Sequence, residues 1–568
     1  MPLATLFPLH TSTGIAPSYR DVFHAYQHSL ATSFANGSLR PFIIPYHLNG
    51  YLLLILYLCI PHKNRPWLYA GRWLVLFVIV VFEAKQIQEV RSGNAATTYI
   101  AGLTSAMGIV WAWTWLVWRR PQWDAVRVER RRRGAGGNGE WDDRDKEARN
   151  GHSKTRATGE DKMLSQDAGG ERGSARQRKP NGEDVRATSN GPTRENDSAQ
   201  LSKEDRDPEW EYYWQPYPDN IWQRINWVID LFANFRGVGW NWQIPPMPAQ
   251  PSFITHSLHS PTPKTSKSAI SCAGLRYHST NRQLLVHTIP KFLVGYLILD
   301  ILKTTMMHDP YFIFGPTTYA LPAHIQALPS FLLKAYRLLF SFAAITISLE
   351  MAFLFAPLCL CLLLGPNVLG LRGEPWYYIA DWGSPSTVAS KGLNGFWGSW
   401  WHQAFRFIFS APTNFLISNG YIKARSSAAK LSALLFAFGI SGFLHFSGSV
   451  SSFSNTYPWH PAMFFALQGV GIFIQTTFCS LAHDHLEKVS ESVRKAGNMG
   501  FAFAWLFCTA GWITDDFARG GLWLWEPVPV SFCRGLGFGA GEERLWVWGK
   551  VKIGWYTGRM WWESGISI

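Results

Sequence analysis

Long apolar runs separated by short charged turns dominate the chain. They fall near Pro41–Ile60, Trp73–Gln88, Thr98–Trp118, Pro290–Met307, Leu338–Leu364, Lys430–Val450, Ala462–Leu481 and Met499–Ile513. Most approach the roughly 20 residues needed to cross a 30 Å hydrocarbon core. Pro357 should kink or break the Leu338–Leu364 run. A shorter amphipathic stretch, capped by Asn220, puts Ile221, Ile225, Val228, Ile229 and Phe232 on one face. With Trp214, Trp222 and Trp227 nearby, it predicts a helix lying in the membrane interface. The pattern as a whole predicts an all-α polytopic integral membrane protein. It should have about eight transmembrane helices, with interfacial helices around an intramembrane chamber.

Charge orients these runs. Arg119, Arg120 and Arg127 to Arg133 follow the third run, and Lys63, Arg65 and Arg72 separate the first two. The positive-inside bias puts both turns in the cytosol, which makes residues 1–40 a lumenal segment ahead of a three-span region over 41–118. Lys423, Arg425 and Lys430 mark another cytosolic turn, as do Lys488, Arg494 and Lys495, whereas Ser451–Pro461 has no Lys or Arg and suits a lumenal turn.

Composition changes the picture at one place. Mean hydropathy over 568 residues is −0.05, which taken alone suggests a soluble protein. Yet 39 of the 92 Asp, Glu, Lys and Arg residues lie between Arg119 and Asp207. Residues 119–207 therefore read as a disordered, charged cytosolic insert that cannot bury enough apolar surface to order itself. Residues 208–568 remain as the membrane region expected to carry the chemistry. The formal charge of +14 sits mostly at span ends, so it speaks for anionic headgroups rather than nucleic acid. Seven Cys show no paired spacing, and neither a disulfide framework nor a metal site follows.

Candidate chemistry concentrates between Phe396 and Val450. The segment FWGSWWHQAFR, Phe396 to Arg406, suits an interfacial or re-entrant helix on which His402 and Arg406 share a face. In the span that follows Lys430, His445 is the only ionisable group. A polar side chain at membrane depth costs several kcal/mol unless paired. Ser441, Gly442, Gly448 and Ser449 fall on its face and outline a small polar groove; the plainer alternative is a small-residue packing seam. Other signals are weaker. His24 and His28 have the spacing of one iron-box element, but its companions are missing. His483 and His485 suit a solvated helix end. Asp515-Asp516 lacks a second Asp-rich motif, and Asp300 with Lys303 reads as a pair along one helix. Glu83 and Glu350 fall within spans, and Glu350 with His445 leaves a transporter or channel as the rival class.

FWGSWWHQAFR, followed about forty residues later by GISGFLHFSGS, resembles the wax synthase-like branch of the membrane-bound O-acyltransferases. RGVGWNW, Arg236 to Trp242, and TDDFARGGLWLWEPVPVSFCRGLGFG, Thr514 to Gly539, are similar to its fungal members. Ser399-Trp400 stands where many relatives carry a basic residue. The resemblance implies acyl transfer from coenzyme A to a hydroxyl. His445 would be the catalytic histidine, and His402 would stand where many members of the wider family carry Asn. It further implies an endoplasmic-reticulum enzyme that esterifies a lipophilic alcohol. Acetyl-CoA is the expected co-substrate and no tightly bound cofactor is needed; long-chain wax ester synthesis is the alternative.

On that reading, burial keeps the His445 imidazole neutral and able to take the proton of an attacking alcohol. His402 can donate to the oxyanion. Arg406, Lys423, Arg425 and Lys430 are candidates for the coenzyme phosphates, with plain membrane anchoring equally open for the last three. Trp397, Trp401, Gln403, Ser441, Gly442, Gly448 and Ser449 complete the expected substrate chamber.

Overall fold

The computed structural model describes residues 17–132, 210–258, 270–452, 456–539, 544–548, 554–558 and 560–567. The part of the charged insert over 133–209 lies outside them. The architecture is all-α and polytopic. Among the described residues, six helices are long and apolar enough to cross a membrane: Pro66–Glu89, Ala95–Trp118, Asn281–Met306, Ser330–Gly373, Ser427–Ser451 and Trp459–Leu481.

In chain order the principal helices are α1 (Tyr19–Ala35), α2 (Asn49–Cys59), α3 (Arg72–Glu89), α4 (Ala95–Trp113), α5 (Ile221–Ala233), α6 (Asn281–Met306), α7 (Ser330–Pro357), α8 (Ser386–Gly395), α9 (Arg406–Ser418), α10 (Ser427–Ser451), α11 (Trp459–Leu481), α12 (Glu491–Thr509) and α13 (Gly511–Arg519). Two of the eight expected spans take a different form. Where the first was expected, α2 and its preceding turn form an apolar helix, Tyr46–Cys59, of 14 residues. At 1.5 Å per residue that is about 21 Å, short of the bilayer core. Where the last was expected, α12 carries Glu491, Arg494 and Lys495 in its opening turns and gives way to α13 at Ala510. Pro357 acts as expected: α7 ends on it, and a wider π-helical stretch, Leu358–Leu364, runs on to Gly365 at φ 64°.

The centre of the molecule is α4. Most of its residues are buried, because Ala101, Gly102, Ser105, Ala106, Gly108 and Ala112 leave room for neighbouring helices. A Cβ on Gly102 would stand 2.4 Å from the Ser447 carbonyl oxygen, so α4 and α10 touch almost backbone to backbone. In turn, α10 packs most extensively against α4 and α11. It starts cleanly because the Ser426 hydroxyl accepts from the Ala429 N–H at 3.1 Å.

Two expectations from the charged region need correction. Residues 121–132 are ordered. Strand β1 (Arg127–Arg132) pairs antiparallel with β2 (Trp210–Gln215), from Arg127 opposite Gln215 to Arg132 opposite Trp210. Arg127 is only 2% exposed. Its Nη1 donates to Asp230 at 3.0 Å and its Nε to Gln215 at 2.8 Å. Arg372 Nε and Tyr377 Oη donate to the same Asp230 carboxylate at 2.9 and 2.8 Å. This network binds the strand pair to α5 and to the turn after α7, so Arg127 and Glu129 are paired within the fold. Helix α5 is capped by Asn220 as expected, with Oδ1 accepting from Trp222 N–H at 2.9 Å. Its Trp227 and Val228, however, are fully buried core residues; Ile221, Trp222 and Ile229 form the outward face.

Candidate active site

His445 sits on α10, eighteen residues after its start and six before its end, or about 27 Å and about 9 Å along an unbroken helix. Its ring is fixed by three other elements. Tyr99 of α4 places its hydroxyl 2.7 Å from His445 Nδ1. Phe465 of α11 stacks on the imidazole at 4.7 Å with 25° between planes, and Phe517 of α13 lies at 6.2 Å. Nε2 has no hydrogen-bond partner among the described residues, yet it is not a sealed atom. The His445 side chain stays partly accessible between Tyr99, Phe465 and Phe517. Two small crevices elsewhere, beside Trp376 and beside His62, touch neither His445 nor His402.

The small residues around His445 do share its face, but most of them serve packing. Gly442 lets α11 approach, with Ala462 where a Cβ would need room, and Gly448 lies flat beneath the Tyr99 ring. Ser441 Oγ donates to its own helix at Ala437 O, 2.9 Å away. Gly442, Gly448 and Ser449 are buried, and Ser449 lies beside Asp516 instead of lining a chamber. The plainer reading of the small-residue pattern therefore holds for three of the four.

The segment Phe396–Arg406 is not one helix. Helix α8 turns at Gly392 (φ 59°) and widens to a π-turn over Phe396–Trp400; the chain leaves helical geometry at Trp401, and α9 begins only at Arg406. His402 and Arg406 thus do not share a helix face. The segment is inserted among the spans. Trp397 packs on Phe438 of α10 and on Phe464 and Phe465 of α11, and its indole donates to Gln468 Oε1 at 3.3 Å. Trp401 stacks on Phe396 at 5.6 Å. His402 stands in the extended break, ringed by Phe353, Trp382, Trp401 and Phe405 at 5.4–5.9 Å. Its buried Nδ1 has no hydrogen-bond partner among the described residues.

Burial pushes the His402 imidazole down to about 4, so it is neutral at pH 7 and carries one N–H. Phe465 of α11 touches both the His445 ring and Trp397, so the segment that carries His402, forty-three residues earlier in sequence, packs one ring away from His445.

The remaining candidates divide. Gln403 is buried and satisfied internally: Nε2 donates to Trp401 O at 2.6 Å, and Oε1 accepts from Arg406 Nη1 at 2.9 Å. It braces the turn instead of facing a substrate. The same Arg406 nitrogen also donates to Gly398 O, so this guanidinium holds the break in place, and burial lowers it from the ordinary arginine range. Lys423, Arg425 and Lys430 are exposed at the turn between α9 and α10. Lys430 is fifteen residues, about 22 Å, from His445 along the helix. Asp300 and Lys303 do not pair with each other. Asp300 accepts from Ser531 Oγ and, at 3.0 Å, from Cys533 N–H, whereas Lys303 donates to Trp523 O at 2.6 Å and faces Glu526 at 3.7 Å. Asp515 accepts from Tyr311 Oη at 2.7 Å, and Asp516 from Tyr457 N–H at 2.7 Å.

Tyr99, Phe465, Phe517 and Gln468 escaped sequence reasoning. Tyr99 and Phe465 are ordinary residues of apolar helices and Phe517 lies on the charged α13; only the packing of α4, α11 and α13 around α10 brings these three to the histidine, while Gln468 bonds Trp397 and Thr509.

Residues 382–467, which contain both histidines and the inserted segment, match the membrane bound O-acyl transferase family. Three curated fungal proteins are similar over longer stretches. The O-mevalon transferase macI of Penicillium terrestre is 27% identical over 45% of this chain and 54% of its own length. For the O-mevalon transferase yanI of Aspergillus niger the figures are 25%, 56% and 64%. The acetyltransferase nanB of Aspergillus nanangensis is 24% identical over 40% of this chain and half of its own. The chain thus spans about half to two thirds of the length of these relatives. No solved structure matches it. Family match and relatives together make the chain similar to the membrane bound O-acyl transferases.

Proposed function

We propose that the chain transfers an acyl group, acetyl foremost, from acyl-CoA to a hydroxyl of a lipophilic acceptor such as a terpenoid or other secondary metabolite, in the endoplasmic-reticulum membrane. The observation that carries this reading is His445. One ring nitrogen is engaged by Tyr99, the other has no hydrogen-bond partner among the described residues, and Phe465 stacks on the ring while also touching Trp397 of the inserted segment that carries His402. In the proposed step Nε2 takes the alcohol proton while the oxygen attacks the thioester carbonyl. His402 N–H donates to the oxygen on which charge develops. The C–S bond then breaks, and the thiolate leaves with the proton that Nε2 returns to it. A thiol of pKa near 8.5 is a good leaving group, so no strong acid is required. Transfer is direct, without a covalent acyl-enzyme.

The names of two relatives favour a second reading in which the acyl group is larger and itself hydroxylated, of mevalonyl type. Both readings are tested with purified full-length protein, radiolabelled acetyl-CoA, a mevalonyl thioester, a long-chain acyl-CoA and a panel of lipophilic alcohols. Ester formation that is abolished in His445→Ala and retained in His485→Ala is the expected result. Transport of solute across a vesicle membrane without ester formation would move the protein to the rival class.

A further inference from the structure

Tyr99 lies on α4, outside the segment that matches the family, and is buried against the candidate base. Its hydroxyl is 2.7 Å from His445 Nδ1 and 3.5 Å from the His445 carbonyl oxygen. The Tyr99 ring meets Phe517 edge-on at 5.2 Å and crosses Gly448, where a Cβ would come within 2.7–2.9 Å of three ring atoms. Phe465 clamps the imidazole plane from the other side. These ring contacts, part of a buried hydrophobic cluster, hold the hydroxyl in place.

We propose that Tyr99 is a positioning residue that selects the tautomer and orientation of His445 for catalysis. The proposal rests on the acyltransferase reading above. A neutral imidazole is a base at Nε2 only when Nδ1 carries the proton. In that state Nδ1–H donates to the Tyr99 oxygen, and the Tyr99 hydrogen turns toward the His445 carbonyl. When Nε2 takes the alcohol proton, the imidazolium still has an acceptor at Nδ1. When Nε2 gives that proton to the leaving thiolate, the starting state returns and Tyr99 has kept its own proton. A hydroxyl does this without placing a second charge inside the span, which a carboxylate in the same position would do.

The test uses the full chain in lipid nanodiscs with a donor and an alcohol that the wild type esterifies. Tyr99→Phe keeps the ring that packs on Gly448 and removes only the hydroxyl. It should lower kcat about ten- to a hundredfold and leave both KM values and the melting temperature within error. Gly448→Ala should displace the ring and lower kcat as well. In the Tyr99→Phe background the same substitution should add nothing, because the hydroxyl it would displace is already gone. A Tyr99→Phe enzyme with wild-type kcat would overturn the proposal, as would a loss that tracks a fall in melting temperature or multiplies with that of Gly448→Ala. If His445→Ala is inactive while Tyr99→Phe is unimpaired, the proposal alone fails. If the wild type forms no ester with any donor, the acyltransferase reading fails and takes this proposal with it.

Discussion

At the scale of single residues, Asp516 shows how the space around the candidate base tunes a charge. Its carboxyl is buried at the end of α10, and burial pushes it up to about 6, although the Ser449 hydroxyl nearby and the Tyr457 N–H both favour the anion. The folded chain therefore holds this proton more tightly than the unfolded chain, whose Asp titrates near 3.9. Stability from this source is complete below about pH 4 and is lost as pH rises through about 6, an effect on the order of 1–3 kcal/mol. Asp516→Asn keeps an acceptor for Tyr457 and stays neutral. Thermal unfolding of the purified variant should lose less stability than the wild type between about pH 4 and about pH 6.5. Residues of this kind also mark the limit of what sequence tells. His445 was legible because an imidazole inside a span is chemically out of place. Tyr99 was not, since a tyrosine in an apolar helix is unremarked until the fold puts α4 against α10.

At the scale of elements, the inserted segment depends on one turn. Gly392 has φ 59°, and a Cβ there would lie 1.9 Å from Gln475 Nε2. That glutamine accepts from Leu393 N–H at 2.9 Å and donates to Asn498 at 3.0 Å, and Asn498 in turn holds the carbonyls of Ala389 and Ser390. The clamp redirects the chain so that Phe396–Trp400 enters the space beside α10 and α11. Gly392→Ala should therefore cost backbone strain of about 1–3 kcal/mol, because φ 59° with ψ −134° suits only glycine, plus the eviction of Gln475, and ester formation should fall with it. Gly420→Ala is the matched control, since Gly420 is also left-handed (φ 76°) but has nothing within 4 Å. Equal losses of melting temperature in the two variants would refute the clamp. The spans, the Asn220 cap and the break at Pro357 were readable from periodicity and proline chemistry. The break between His402 and Arg406 was not, because FWGSWWHQAFR has no proline or charge pattern to mark it and the aromatic packing around Phe396 and Trp401 decides it.

At the scale of the whole molecule, long-range contacts replace the division into regions that charge suggested. Arg132 and Trp210 close the β1–β2 ladder, with Arg127, Asp230 and Arg372 tying it to the rest. A two-residue Asn-Gly turn matches the geometry of an antiparallel pair. Replacing residues 133–209 by Asn-Gly should thus leave ester formation within about twofold of wild type, measured in the same nanodisc assay; a larger loss would assign that segment a part in the reaction. The distribution of charge pointed to this boundary in general terms, but the paired strands move it from Arg119 to Arg132.

The tail that grips α6 has a practical consequence of its own. Asp300 and Lys303 rest on Trp523, Glu526, Ser531 and Cys533, far downstream in the chain. While a ribosome is still making the second half of the protein, that helix must enter the bilayer with an acid and an amine still waiting for these counterparts. Insertion of α6 is therefore finished only once residues 523–533 have been made, and a chain cut short before Trp523 would carry a helix that the membrane has reason to reject.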